Sequence, residues 1–143
     1  MRCLLDTCVI SELIASRPDP HVVAWVNALD DEQTWLSVIT LGEIKRGVAR
    51  LPDSHRKERL ARWLEEDLLA RFHGRIADIN ADVMLAWGEL AARLEKKGRT
   101  LPAMDSLIAA IALHGDFALV TRNERDFMDT GVQVVNPWQS VGG

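Results

Sequence analysis

Residues 2–14, Arg2-Cys3-Leu4-Leu5-Asp6-Thr7-Cys8-Val9-Ile10-Ser11-Glu12-Leu13-Ile14, change their hydrophobic period part-way along. The apolar run at 2–5 is too short for a helix and reads as a buried strand. Beyond it, Val9, Ile10, Leu13 and Ile14 share one helical face, which Arg17-Pro18 and Pro20 bring to an end. A buried strand feeding directly into an amphipathic helix is the repeating unit of α/β folds. Asp6 stands at the junction, hard against the strand, where an unpaired carboxylate is costly.

The alternation continues outward. Residues 21–29 read as a helix with Val22, Val23, Trp25, Val26 and Leu29 as its apolar members. Residues 33–39, with Thr34, Trp35, Val38 and Ile39, favour a strand. Thr40 opens a helix bearing Leu41, Ile44 and Val48, which stops near Leu51-Pro52. Asp53 or Ser54 caps the next, where Leu60, Trp63, Leu64, Leu68 and Leu69 alternate with charges. Residues 76–79 read as a strand; Asn80 then caps a long helix through Val83, Trp87, Leu90 and Leu94, closed by Gly98. Pro102 suits the start of a helix carrying Leu107, Ile108, Ile111 and Ala112, ended by His114-Gly115. Strands at 118–121 and 132–135 bring the total to five. The pattern predicts an α/β fold with a mostly parallel sheet.

A chain of 143 residues fits one domain, and 48% hydrophobic residues suffice for a packed core without disulfide or metal staples. Seventeen basic and 21 acidic side chains leave a net charge of −4. Bulk charge therefore opposes nucleic-acid binding, and any such chemistry must rest on a local site or a basic partner. Cys3 and Cys8 lack zinc-site spacing and read as small thiols suited to a reducing cytosol. An acid at position 6 interrupts any signal-peptide core, and no apolar run approaches the ~18 residues that span a bilayer. The expectation is a soluble, cytoplasmic protein with no membrane partner.

In parallel sheets, ligands bind beyond the carboxyl ends of the strands. Asp6 follows the first strand, Glu43 lies in the helix after the second, Asp105 in the first turn after Pro102, and Asp126 shortly after the fourth strand. Carboxylates brought together raise one another's pKa and call for a counter-ion. A hard cation, Mg²⁺ or Mn²⁺, suits such oxygens; His21, His55, His73 and His114 show no zinc-ligand spacing. Each acid also has a structural reading. Asp6 can cap a helix, and Thr40-Leu41-Gly42-Glu43 has the form of a capping box. Asp105 can be an ordinary first-turn acid, and Asp126 a solvated loop residue. Those readings explain the acids singly but not their common position at one sheet edge. Asp30–Glu32 and Glu65–Asp67 read as solvated surface runs. GxGxxG, P-loop and GxSxG motifs are absent, which removes dinucleotide, P-loop nucleotide and serine-hydrolase chemistry.

Four segments resemble the PIN-domain family, and within it the VapC and FitB toxins of bacterial toxin–antitoxin pairs. Residues 4–12 are similar to that family's opening LLDTNVISE, with Cys8 replacing its Asn. Ser37 to Ile44 resembles the second motif, Leu101 to Ala110 the third, and Val120-Thr121-Arg122-Asn123 with Asp126-Phe127 the fourth. Asn136-Pro137-Trp138 is similar to the ending of FitB-like members, so the resemblance runs from residue 3 to 138.

The resemblance implies a single PIN-like domain over 1–143, a three-layer α/β/α with a sheet of about five strands. It implies a Mg²⁺-dependent endoribonuclease (Mn²⁺ being the other candidate), neutralised by a cognate VapB/FitA-like antitoxin. Asp6 and Asp105 would be direct metal ligands, and Glu43 and Asp126 would complete the catalytic set. Relatives place the fourth acid at either the Asn123 or the Asp126 site; here only Asp126 is a carboxylate. Thr121 and Asn123 would hold these carboxylates. Lys45, Arg46 and Arg122, with Arg50 and Arg125 behind them, would contact RNA phosphates. The implied assembly is a homodimer that reaches operator DNA only through the antitoxin. A catalytically weak scaffold in a repressor complex and a non-toxin nuclease of RNA processing are the alternatives.

Overall fold

The computed structural model describes residues 1–138, so the last five residues of the expected 1–143 domain lie outside the described residues. Five strands form one sheet: β1 (Cys3–Leu5), β2 (Thr34–Ser37), β3 (Ile76–Ala77), β4 (Ala118–Val120) and β5 (Val134–Val135). Their order is β3-β2-β1-β4-β5, and every pairing is parallel. The α/β/α architecture follows from how the strands divide their side chains. Cys3 and Leu5 join a core with Val9, Ile10, Val22, Val26, Leu64 and Phe72 on one face. Leu4 points the other way, into a core with Val83, Leu90, Leu94, Ile108 and Ile111. This period-two division lets a three-residue strand serve two helical layers.

The first layer holds α1 (Thr7–Leu13), α2 (Pro20–Asn27), α3 (Val38–Ala49) and α4 (His55–Arg62), which runs through a π-helical segment at Trp63–Leu68 into α5 (Leu69–Arg71). The second holds α6 (Ala81–Lys96) and α7 (Ala103–His114), packed closely on each other. After β1 the chain builds outward through β2 and β3, then returns to β4 on the other side of β1. The order thus reverses beside β1, the position where open parallel sheets leave a crevice. Asp6 is the first residue past that strand.

Several boundaries differ from the sequence expectation. The second strand stops at Ser37, not 39, and Val38 and Ile39 are helical despite their β-branched side chains. Ser37 Oγ accepts a hydrogen bond from the Thr40 backbone N–H at 3.1 Å, so Ser37 is the cap and Thr40 lies inside the helix. A capping bond overrides a weak local propensity. The expected capping box from Thr40 to Glu43 does not form, and Glu43 sits in the second turn with its side chain uncommitted to the cap. Strands expected at 76–79 and 132–135 shorten to two residues each. Asn80 caps α6 as expected, and Gly98 follows it with φ of 73°, a conformation glycine adopts without strain.

Candidate metal centre

Asp6 is 6% exposed, at the carboxyl end of the central strand. Its Oδ1 accepts from the Thr7 N–H at 2.8 Å, so it does cap α1. Its Oδ2 accepts from Thr121 Oγ1 at 2.8 Å, across 115 residues of chain. Capping alone does not account for a buried carboxylate that a second hydroxyl also holds. The Cys8 thiol lies beside both groups, 3.9 Å from Asp6 Oδ2 and 3.6 Å from Thr121 Oγ1. Burial pushes the Asp6 carboxyl above the usual range; the hydrogen bonds from Thr121, Thr7 and Cys8 pull it back, while Glu43 adds to the rise.

Glu43 is half-buried on α3, and Thr7 Oγ1 donates to its Oε1 at 2.6 Å. Thr7 therefore serves both acids, its backbone N–H bound to Asp6 and its hydroxyl to Glu43. Asp105, in the first turn of α7, is also half-buried. Burial raises its pKa first, and the negative charges of Asp6, Asp126 and Glu43 raise it further, in that order. Asp105 thus lies within electrostatic reach of three acids from distant points in the chain, and Asp6 within reach of Glu43. Asp126 is the exposed member, on the 3₁₀ turn Glu124–Phe127 after β4.

An all-oxygen cluster whose buried members resist ionisation matches the donor chemistry of a hard divalent cation. Among the described residues, no three acid, His or Cys side chains stand close enough together to hold a metal ion between them. The arrangement is an open cluster, in which water and a substrate oxygen would supply the remaining ligands. Asp6 and Asp105 are the acids whose carboxyls burial has partly removed from water.

The PIN domain family pattern covers residues 3–132 of this chain. The chain belongs to the PIN-domain family. It is 37% identical over 137 residues to the plasmid stability protein StbB of Pseudomonas syringae pv. tomato, covering 96% of this chain and 99% of that one. It is 34% identical to a VapC ribonuclease of Sinorhizobium fredii (95% and 97% covered) and 36% identical to the toxin FitB of Neisseria gonorrhoeae (94% and 97% covered). The solved structure of FitAB bound to a DNA fragment superposes with a TM-score of 0.92 at 35% identity, over 96% of both chains.

Around the acid cluster of this PIN domain, Thr121 holds Asp6 as expected, whereas the Asn123 side chain makes no hydrogen bond among the described residues. Asn123 acts through its backbone N–H, which donates to Thr121 Oγ1 at 3.1 Å. Lys45, two positions beyond Glu43 and so on another side of the helix, pairs with Glu65 at 3.5 Å. Arg46, late in α3, and Arg50, just past its end, are exposed. Arg122 lies with its guanidinium 5.4 Å from the centre of the Trp138 ring, whose Nε1 donates to Glu12 Oε1 at 3.0 Å. Sequence reading missed Thr7 as a holder of Glu43 and Glu12 as the anchor of Trp138. Thr7 was within reach of that reading, because it adjoins Asp6 in the first motif. The Glu12–Trp138 contact spans 126 residues and leaves no local signal.

Proposed function

We propose that this chain is a divalent-metal-dependent endoribonuclease, the toxin of a type II toxin–antitoxin pair, using Mg²⁺ or Mn²⁺ in the cytoplasm. The observation that carries the reading is geometric: Thr7 donates to Glu43 at 2.6 Å and Thr121 to Asp6 at 2.8 Å, so three of the motif segments converge at the carboxyl end of β1. The electrostatic reach of Asp105, from the remaining segment, to these acids supports the reading, and PIN-domain ribonucleases depend on divalent metal. The relatives' names, a VapC ribonuclease and the toxin FitB, support the RNA substrate and the toxin role.

A bound cation would polarise the scissile phosphate and lower the pKa of the attacking water. Asp6 and Asp105 would hold it. Thr121 and the Thr7 N–H fix the Asp6 carboxylate, so its orientation is set before substrate arrives. Glu43, turned by Thr7 through Oε1, keeps Oε2 available to accept a hydrogen bond from the attacking water and align it. Asp126, exposed at the rim, would complete the set through water. The net charge of −4 would then be no obstacle, because a bound cation would balance the acids where phosphate enters.

The partner is a VapB/FitA-like antitoxin that carries operator DNA binding, with the toxin as a homodimer. The structural relatives, FitAB on a DNA fragment and VapBC2 of Rickettsia felis on a promoter fragment, support it. The test is to map cleavage sites in cellular RNA after brief expression, with Asp6→Asn as control and with the adjacent small reading frame co-expressed. Metal-dependent cuts that disappear in the control and with the neighbour present are expected. A monomer by light scattering that cleaves equally well beside that neighbour overturns the toxin assignment.

A further inference from the structure

We propose that the groove opening from Glu43 between α1, α3 and α4 is the track for one arm of the single-stranded RNA, with Arg56 and Arg59 taking its phosphates. The proposal rests on the nuclease reading above and adds the path of the substrate to it.

The groove encloses about 720 Å³ and reaches the acid cluster through Glu43, the one acid of the four that lines it, with Thr7 beside it. Gly47, one helical turn beyond Glu43, forms part of its floor, and Arg56 and Arg59 line it from α4. Leu51 and Leu60 supply apolar wall. The arginines are three apart on one helix and so share a face. Both are exposed, and among the described residues neither guanidinium is paired with a carboxylate. Of the other cations of this layer, Lys45 pairs with Glu65 and Lys57 with Asp53, while Arg46, Arg50 and Arg62 do not line the groove.

Charge order along the groove decides what it fits. An acidic head suits a metal-bound phosphate, and uncommitted arginines beyond it suit the phosphates that follow. The apolar wall suits the faces of unpaired bases. In a chain of net charge −4, such a local track is where RNA affinity must come from. Gly47 keeps the track open. A Cβ built there meets nothing within 4 Å, so a side chain would stand in the groove without disturbing the helix.

The experiment measures binding of a fluorescein-labelled single-stranded RNA of about twelve nucleotides by anisotropy in EDTA, apart from turnover. The Arg56→Ala/Arg59→Ala pair is expected to weaken binding on the order of tenfold and to reduce the slope of log K against log salt by about 1.4. Arg56→Lys/Arg59→Lys should restore that slope. Gly47→Trp should weaken binding while Gly47→Ala leaves the melting temperature at or above wild type. RNA that binds in this arginine-dependent way without being cleaved when Mg²⁺ is added sustains the track and overturns the nuclease reading. An unchanged salt slope in the alanine pair overturns the track, whatever that pair does to a bound protein partner. Undiminished binding by a folded Gly47→Trp protein overturns it as well.

Discussion

Thr7 Oγ1 stands 2.6 Å from Glu43 Oε1, tying the first turn of α1 to the second turn of α3. The same residue's backbone N–H binds Asp6. One threonine therefore sets the relative orientation of Asp6, its chain neighbour, and Glu43, 36 positions further on. Thr7→Val removes the hydroxyl at nearly constant volume. We expect RNA cleavage to fall about 10–100-fold, as is usual for groups that orient metal-site ligands. Circular dichroism and melting should stay close to wild type, since the Asp6 cap is retained. Full activity in Thr7→Val would show that Glu43 needs no such tether.

Asp6→Asn and Asp105→Asn should each lower cleavage by about a thousandfold or more, the loss expected when metal-assisted charge stabilisation goes. Asparagine still caps a helix, so Asp6→Asn keeps the bond to Thr7. In EDTA both variants should melt at or above the wild-type temperature. A matched loss of melting temperature in both would favour the capping reading of these acids.

The pH dependence of the metal-free protein follows from the raised carboxyls of Asp6 and Asp105. The folded state binds these protons more tightly than the unfolded chain does. Their stabilising effect is complete below the ordinary carboxylate pKa and is lost as pH rises through the raised folded values. Melting temperature in EDTA should thus decline across the mildly acidic range, and the decline should shrink in Asp6→Asn. A curve for Asp6→Asn that parallels wild type throughout would contradict the placement of that charge.

Divalent cation should act in the opposite direction. Mg²⁺ or Mn²⁺ at neutral pH is expected to raise the wild-type melting temperature by linkage, with no shift in Asp6→Asn. The effect should be modest and saturate at high concentration, because Mg²⁺ gives up its waters reluctantly. Stoichiometric zinc in metal analysis, with no response to Mg²⁺, would exclude the assignment.

Cys8 is expected to matter little despite its place beside Asp6. A thiol is a weak donor, and 3.9 Å is long beside the 2.8 Å bond from Thr121 to the same oxygen. Cys8→Ala should cleave RNA within about threefold of wild type, whereas Thr121→Val should lose 10-fold or more, about the usual range.

The linear chain announces the architecture because the period of hydrophobicity changes sharply at each junction. Leu4-Leu5 ahead of Val9-Ile10-Leu13 is a strand handing over to a helix, and Asn80 and Gly98 bracket α6 as written. Position after a strand likewise marked Asp6, Glu43 and Asp126, since parallel strands all deliver their carboxyl ends to one edge, whereas Asp105 opens α7, which follows α6 with no strand between them. The boundary at Ser37–Thr40 escaped, because Val38 and Ile39 favour a strand by propensity while one hydroxyl bond decides for a helix. What only the tertiary structure settles is which side chains meet. Local pattern says that Lys45, Arg46, Arg56 and Arg59 are exposed cations on helices. It does not say that Lys45 turns to Glu65 while Arg56 and Arg59 line the groove leading to Glu43. Nor does it say that Thr121 reaches Asp6 or that Glu12 holds Trp138. Those contacts join residues more than a hundred positions apart, and their geometry exists only once the strand order β2-β1-β4 has brought both ends of the chain to one edge.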